Sequence, residues 1–436
     1  MARRDLRSSF TAVAMIFALL ATALFVDTHA EAPFDAPKRF FCLLGIGIAA
    51  IVQFGFADSW SPIGSCKEWS GTQRTTLALF LLGLIGLAVA AAASPKSGVS
   101  LDAYRSVLLF ALLLPLGASA AVDAGRSYWV TGAFLGASTI NAILAIAQVF
   151  GSAQLYTVER YAGRTAGIAL VGNEGLLALN LSCAIATALA IMLNSRTAHV
   201  RGLAAAMMAL FAVGLILTHN TTAFVTGAAG MFAVLITSES SRRWVSLMPI
   251  VGLFGVALLL AGVTSGRLGG TLKSLQSRDW DALLTFRLGA WSSAVEMIRE
   301  RPLLGFGPGT FGAEFMSHRL DAEIRFHRRF LVPNLNSSFA QAHSDYLQGI
   351  AEAGIPAASA LLASAIVLLS GVARVASHGP AIVRGEAVVV LAMLVAGAVS
   401  ALTWFPLQSP ISAAPLLICA GRAWSLLGQM GTRSVS

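Results

Sequence analysis

The sequence predicts an all-α integral membrane protein of about 12 transmembrane helices, with one long periplasmic loop between spans 9 and 10 that contains amphipathic helices. Three observations predict it. Apolar residues fill 56% of the 436 positions and charged residues only 12%, too little polar surface to cover a water-soluble globule of this length. The apolar residues gather in runs long enough to cross a bilayer, and one polar segment of about ninety residues, 265–354, interrupts them.

Reading windows of about 17 to 25 apolar residues as helices places spans at 10–27, 39–57, 76–94, 105–122, 128–151, 167–193, 203–218, 221–237, 245–264, 355–376, 385–404 and 408–427. Each is helical because hydrocarbon offers no partner to an open peptide group. The first span imitates a signal peptide, with a basic start and Ala30-Glu31-Ala32, but its apolar core is longer than a signal core and it reads as a span. The chain divides into residues 1–264 with spans 1 to 9, the loop 265–354, and 355–436 with spans 10 to 12 and a tail. No repeat, low-complexity tract or appended soluble domain is visible.

Charge sets the expected orientation. With the N-terminus cytoplasmic, the tails and inner loops hold fourteen basic residues, among them Arg3, Arg4, Arg7, Arg74, Arg126, Arg196, Arg201, Arg374, Arg384 and Arg422. The short outer loops hold six: Lys38, Arg39, Lys96, Arg105, Arg160 and Arg164. The other ten of the 30 lie in 265–354, a segment too long for the positive-inside rule to govern. Both termini are therefore expected in the cytoplasm of a bacterial inner membrane and the loop in the periplasm. The net charge of +9 is scattered between apolar runs, so it reads as a topology signal and no nucleic-acid partner is expected. Cys42, Cys66, Cys183 and Cys419 lie far apart, without disulfide or zinc spacing.

Within the loop, Leu288, Trp291, Val295 and Ile298 recur at helical spacing after Arg287, predicting an amphipathic helix ended by Pro302 that lies on the membrane surface or against the bundle. Gly307 to Gly312 formally matches GxGxxG. A dinucleotide site needs a strand before that motif and a helix after it, whereas here a helix precedes it and Pro308 occupies the turn, so it reads as a sharp backbone turn. A basic cluster follows at Arg319, Arg325, His327, Arg328 and Arg329, either a solvated face near headgroups or an attractor for an anionic substrate. Gln341-Ala342-His343-Ser344-Asp345 then leads through Glu352-Ala353-Gly354 into the tenth span. His343 there is either a packed polar residue or a catalyst, and no HExxH spacing accompanies it. Asn173 and Glu174, at the mouth of the sixth span, face a cavity or a neighbouring helix.

The order Arg287, Trp291, Pro302, Gly305 to Gly309, His343, Leu347, Glu352 and Gly354 resembles the outer loop of the O-antigen ligase and polymerase superfamily of bacterial membrane glycosyltransferases. Gly163-Arg164-Thr165 with Gly172-Asn173, and Phe405-Pro406-Leu407-Gln408, are weaker matches. The resemblance implies glycan transfer from an undecaprenyl diphosphate carrier to an acceptor hydroxyl, with no metal, nucleotide sugar or other cofactor. The acceptor is a glycolipid such as lipid A-core or a growing polysaccharide, and ligase and polymerase share these motifs. It further implies catalytic roles for Arg287 on the diphosphate and His343 as general base. Arg160, Arg164, His219, Asn173 and Asp345 are the expected substrate-binding residues, although Asp345 equally suits the N-terminus of a helix. Glu352, nine positions beyond His343, would point away from it on a continuous helix and reads as a structural contact. One departure stands out: many relatives carry a basic residue where this chain has Thr221, so His219, Arg160 or Arg164 supplies that charge, the donor is held differently, or the chain is an inactive relative. A transporter of lipid-linked glycans and a non-catalytic assembly component are the competing readings.

Overall fold

A computed structural model describes residues 2–27, 29–30, 32, 34–55, 68–119, 123–151, 160–161, 164–165, 167–237, 267–284, 287–330 and 339–430. In chain order these form α1 (Ala2–Leu24), α2 (Ala36–Ala50, continued by a π-helical turn Ile51–Gly55), α3 (Gly71–Ala92), α4 (Ser97–Ala111) and α5 (Leu113–Ala118). After α6 (Ala124–Val149) comes a two-residue antiparallel bridge, β1 (Arg160–Tyr161) with β2 (Arg164–Thr165). There follow α7 (Glu174–Asn194), α8 (Ala198–Leu217), α9 (Thr221–Thr237), α10 (Arg267–Gln276) and α11 (Trp280–Leu283). The chain continues through α12 (Leu288–Glu300), α13 (Phe311–Phe326), α14 (Asp345–His378), α15 (Ala381–Ser400) and α16 (Pro410–Leu427).

The protein is all-helical, and among the described residues ten helical segments are long and apolar enough to cross a membrane. They coincide with expected spans 1 to 7 and 10 to 12. The eighth is the shorter α9, and the expected ninth span, 245–264, lies outside the described residues. The core runs along α7, which packs on α8, α9 and α15 and is buried over 78% of its spanning window, as befits a helix apolar all round. Polar side chains inside the bundle are bonded there: Ser138 donates to Asn180 at 2.8 Å, and Asn141 donates to the carbonyls of Ala23 and Ala137.

Three span limits differ from expectation, each for a local reason. The sixth span begins at Glu174, because residues 167–172 make a buried turn whose amides are taken by side chains of α6. Gln148 Oε1 accepts from Ile168 and Ala169, and Asn141 Oδ1 accepts from Leu170. The fourth begins earlier, at Ser97, and breaks at Leu112, since Pro115 has no N–H to continue the ladder back to Ala111. The tenth is entered by a helical segment from Asp345 that breaks at Gly354, where φ is 76°.

The loop helices α12 and α13 pack on each other and on the start of α14, enclosing a small core of Ala290, Ala294, Met297, Phe306, Phe311, Phe315, Ala342 and Ala351. The burial of α12 corrects its expected face. Gly289, Ala290, Ser293, Ala294, Glu296 and Met297 are the buried residues, while Leu288, Trp291, Val295 and Ile298 are half-buried beside them. Small residues let the helix backbone approach its neighbours closely, and the larger ones flank the seam.

Candidate functional site

The site grows from a backbone clasp. After Pro302 the chain turns through Gly305, Gly307 and Gly309, with φ of 63°, 95° and 76°. A Cβ on Gly305 would stand 2.5 Å from the Glu352 carbonyl, and one on Gly354 would stand 2.2 Å from the Leu303 carbonyl, so two main-chain segments lie in direct contact. Phe306 N donates to Ala351 O at 3.0 Å, Gly307 N to Glu352 O at 2.8 Å, and Ile355 N to Pro302 O at 2.8 Å. The buried Glu352 carboxylate accepts from Gly309 N at 3.0 Å and Phe311 N at 3.1 Å. Amides that a phosphate would need are thus occupied by the protein's own backbone and carboxylate, and the GxGxxG run is a structural turn. Ser94 and Lys96, between α3 and α4, fasten it to the bundle: Ser94 Oγ donates to Phe306 O, and Lys96 pairs with Glu314 at 2.9 Å.

Gln348 carries this order to His343. Its side chain donates to Glu352 at 3.1 Å and to Gln341 at 2.7 Å, and accepts from Ala342 N at 3.0 Å. His343 itself holds a left-handed backbone, φ 52°, a conformation uncommon outside glycine that histidine, asparagine and aspartate adopt more readily than other residues. Its ring stands edge-on among Phe339, Trp404 and Phe405, with centroids 5.4, 5.2 and 5.1 Å away. Burial first and the Arg287 charge second push its pKa from the usual 6.5 down to about 4, so the imidazole is neutral at pH 7 and able to accept a proton. Its Nδ1 is buried and makes no hydrogen bond.

Arg287 occupies the N-cap position of α12, and its guanidinium lies 5.5 Å from the centre of the Trp404 ring. Trp404 and Phe405 stack at 4.9 Å with 14° between their planes. Asp345 ties this turn to α14: its N–H points to the carbonyls of Ala401 and Trp404, and its carboxylate accepts from Leu407 N at 2.8 Å.

The structure therefore brings Arg287, His343 and Asp345 together, with Asp345 engaged as a tether of the 401–408 turn. Asn173 is the N-cap of α7, accepting from Gly175 and Leu176, and meets the site only through Gly175, which lies against the Trp404 ring. His219 follows the C-terminus of α8 with φ 53°, and Gly167 N donates to Leu217 O, which sets the stretch after Arg164 beside that helix end. Arg160 and Arg164 are placed by their backbone pairing in the bridge.

The basic cluster is largely neutralised. Arg319 pairs with Glu323 at 3.0 Å, Arg325 with Glu296 at 2.9 Å, and Arg328 with the buried Asp281 at 2.6 Å. Arg325 and Arg328 hold α11, α12 and α13 together, a job that the sequence did not reveal because their acids lie 29 and 47 positions away. Sequence reasoning also missed Trp404, whose only signal was its place before the Phe405-Pro406-Leu407-Gln408 run. Among the described residues no group of three or more His, Cys, Asp or Glu gathers as a metal site.

Residues 206–362 match the family model described as O-antigen ligase. The matched segment runs from within α8 into α14 and contains Arg287, the glycine turn, His343 and Glu352, consistent with the O-antigen ligase and polymerase superfamily. No curated protein matches the chain significantly.

Proposed function

With Arg287 and His343 both inside the segment that matches the O-antigen ligase family model, we propose that the chain is a membrane glycosyltransferase that moves a glycan from undecaprenyl diphosphate to an acceptor hydroxyl on lipid A-core or a growing polysaccharide. The observation that carries the reading is an imidazole and a guanidinium against the same Trp404 ring at one end of a helical bundle. In the proposed step the acceptor hydroxyl attacks the anomeric carbon, its C–O bond forms, and the bond from that carbon to the diphosphate oxygen breaks. The bonding pair leaves with the lipid diphosphate, whose charge Arg287 meets, and the hydroxyl proton passes to His343.

A free-enzyme pKa of about 4 makes His343 a weak base before substrate arrives. The donor's diphosphate beside Arg287 offsets the positive charge that helps depress it, so bound donor strengthens the base where it is needed. Arg160, Arg164, His219 and Asn173 are assigned to the rest of the substrate, with His219, Arg160 or Arg164 providing the cation that Thr221 does not. The outer-loop end faces the periplasm in this reading, with both termini in the cytoplasm of the inner membrane. Gathering of charge at one end, away from the bundle's midplane, favours transfer chemistry over solute transport.

The test is complementation of a deletion strain with wild type, Arg287→Ala and His343→Ala at matched membrane levels. Loss of finished surface glycan with accumulation of lipid-linked glycan supports the reading, and the length of what accumulates separates ligase from polymerase. Full restoration by both variants would remove the assignment.

A further inference from the structure

We propose that Trp404 is the positioning residue of this site, its indole face fixing the Arg287 guanidinium and the His343 imidazole relative to each other. The proposal rests on the glycosyl-transfer reading and adds to it a residue outside the family match, which ends at 362. Trp404 lies against both: Arg287 Cζ at 5.5 Å from its ring and the His343 ring at 5.2 Å with an interplanar angle of 65°.

Three features hold the indole itself. Phe405 stacks on it, the Trp404 carbonyl accepts from the Asp345 amide, and Gly175 on the first turn of α7 leaves room for it. A Cβ on Gly175 would stand 2.2 Å from Trp404 Cζ2, so any larger residue there displaces the ring. The indole Nε1 is buried and makes no hydrogen bond, so the position uses the aromatic face and leaves the N–H idle. An arginine on a long flexible stem is costly to hold at one point. A tryptophan face supplies the best aromatic surface for a planar guanidinium.

The experiment uses the full chain in liposomes with a lipid-linked glycan donor and an acceptor, measuring kcat, donor KM and the pH profile. Trp404→Leu keeps bulk and removes the face, Trp404→Phe keeps a face, and Gly175→Ala pushes the ring from the other side. Arg287→Ala and His343→Ala serve as references, and thermal unfolding reports on folding. The expected result is a kcat about 10- to 100-fold lower in Trp404→Leu, recovered to within about fivefold by Trp404→Phe. Gly175→Ala falls in the same direction, and the acid limb of the Trp404→Leu profile moves towards the ordinary histidine value as Arg287 leaves His343. Wild-type kcat in Trp404→Leu, with both reference variants inactive, overturns this proposal and leaves the transfer reading standing. So do equal losses in the Leu and Phe variants with an unmoved acid limb, the mark of a merely structural ring. Full activity in the two references overturns the transfer reading, and this proposal with it.

Discussion

Replacing Glu352 with glutamine isolates what the clasp contributes. The carboxylate accepts from Gly309 N, Phe311 N and Gln348 Nε2 in a site only 6% exposed. Glutamine offers one acceptor oxygen, and its NH2 then faces a backbone N–H, so one hydrogen bond is lost and a buried donor is left open. A hydrogen bond contributes about 1 kcal/mol and an orphaned buried donor costs about 1–3 kcal/mol, so local opening becomes easier by about 3 kcal/mol. That is roughly a hundredfold rise in the open population of the turn. Hydrogen exchange of the purified protein, followed over residues 303–312 with α7 as internal reference, reads this directly. Transfer activity falls alongside, because Gln348 links Glu352 to the loop that carries His343. Exchange at 303–312 unchanged within twofold would refute the reasoning and leave the turn held by its backbone bonds alone.

Three further outcomes are expected. The acid limb of kcat/KM lies well below 6.5, near 4, because the folded-state pKa of His343 is depressed. Activity therefore stays level as pH falls from 8 to 5, and the folded state loses stability relative to the unfolded chain only as pH drops from 6.5 through about 4; a wild-type inflection at 6.5 contradicts this. Arg328→Ala strands the buried Asp281 carboxylate and lowers thermal stability by about 1–3 kcal/mol, discounted for the exposure of the arginine, whereas Arg329→Ala stays within about 0.5 kcal/mol. Equal, salt-dependent losses of activity in both would instead mark the cluster as a substrate attractor. Arg422→Met breaks the buried pair with Glu386 on α15 and destabilises the detergent-purified protein by about 3–5 kcal/mol, and adding Glu386→Leu restores most of it; a single variant that melts like wild type refutes a structural role for that pair.

The spans were legible because lipid imposes a long apolar run that few other contexts produce, and the loop was legible as its interruption. What escaped the sequence was set by partners distant along the chain. The turn at 167–172 is apolar enough to read as helix, and the distant side chains of Lys38, Gln148 and Asn141 satisfy it in another form. The inward face of α12 is set by close approach of small residues, which hydrophobic spacing cannot report. Arg287 and His343 were readable from a motif, and the structure adds their shared ring. Trp404 lies 61 positions past His343 in a turn with no pattern of its own, and its role emerges only once α7 and α14 fix where that turn stands.

In the proposed reaction this loop site cleaves a glycan from a lipid diphosphate. The most direct measurement supplies purified protein in liposomes with a lipid-linked glycan and an acceptor, and quantifies free undecaprenyl diphosphate against glycosylated acceptor. One lipid diphosphate released per product, with both lost in Arg287→Ala and His343→Ala, is the predicted result. Movement of the intact lipid-linked glycan without bond cleavage, or release that persists in both variants, would contradict it.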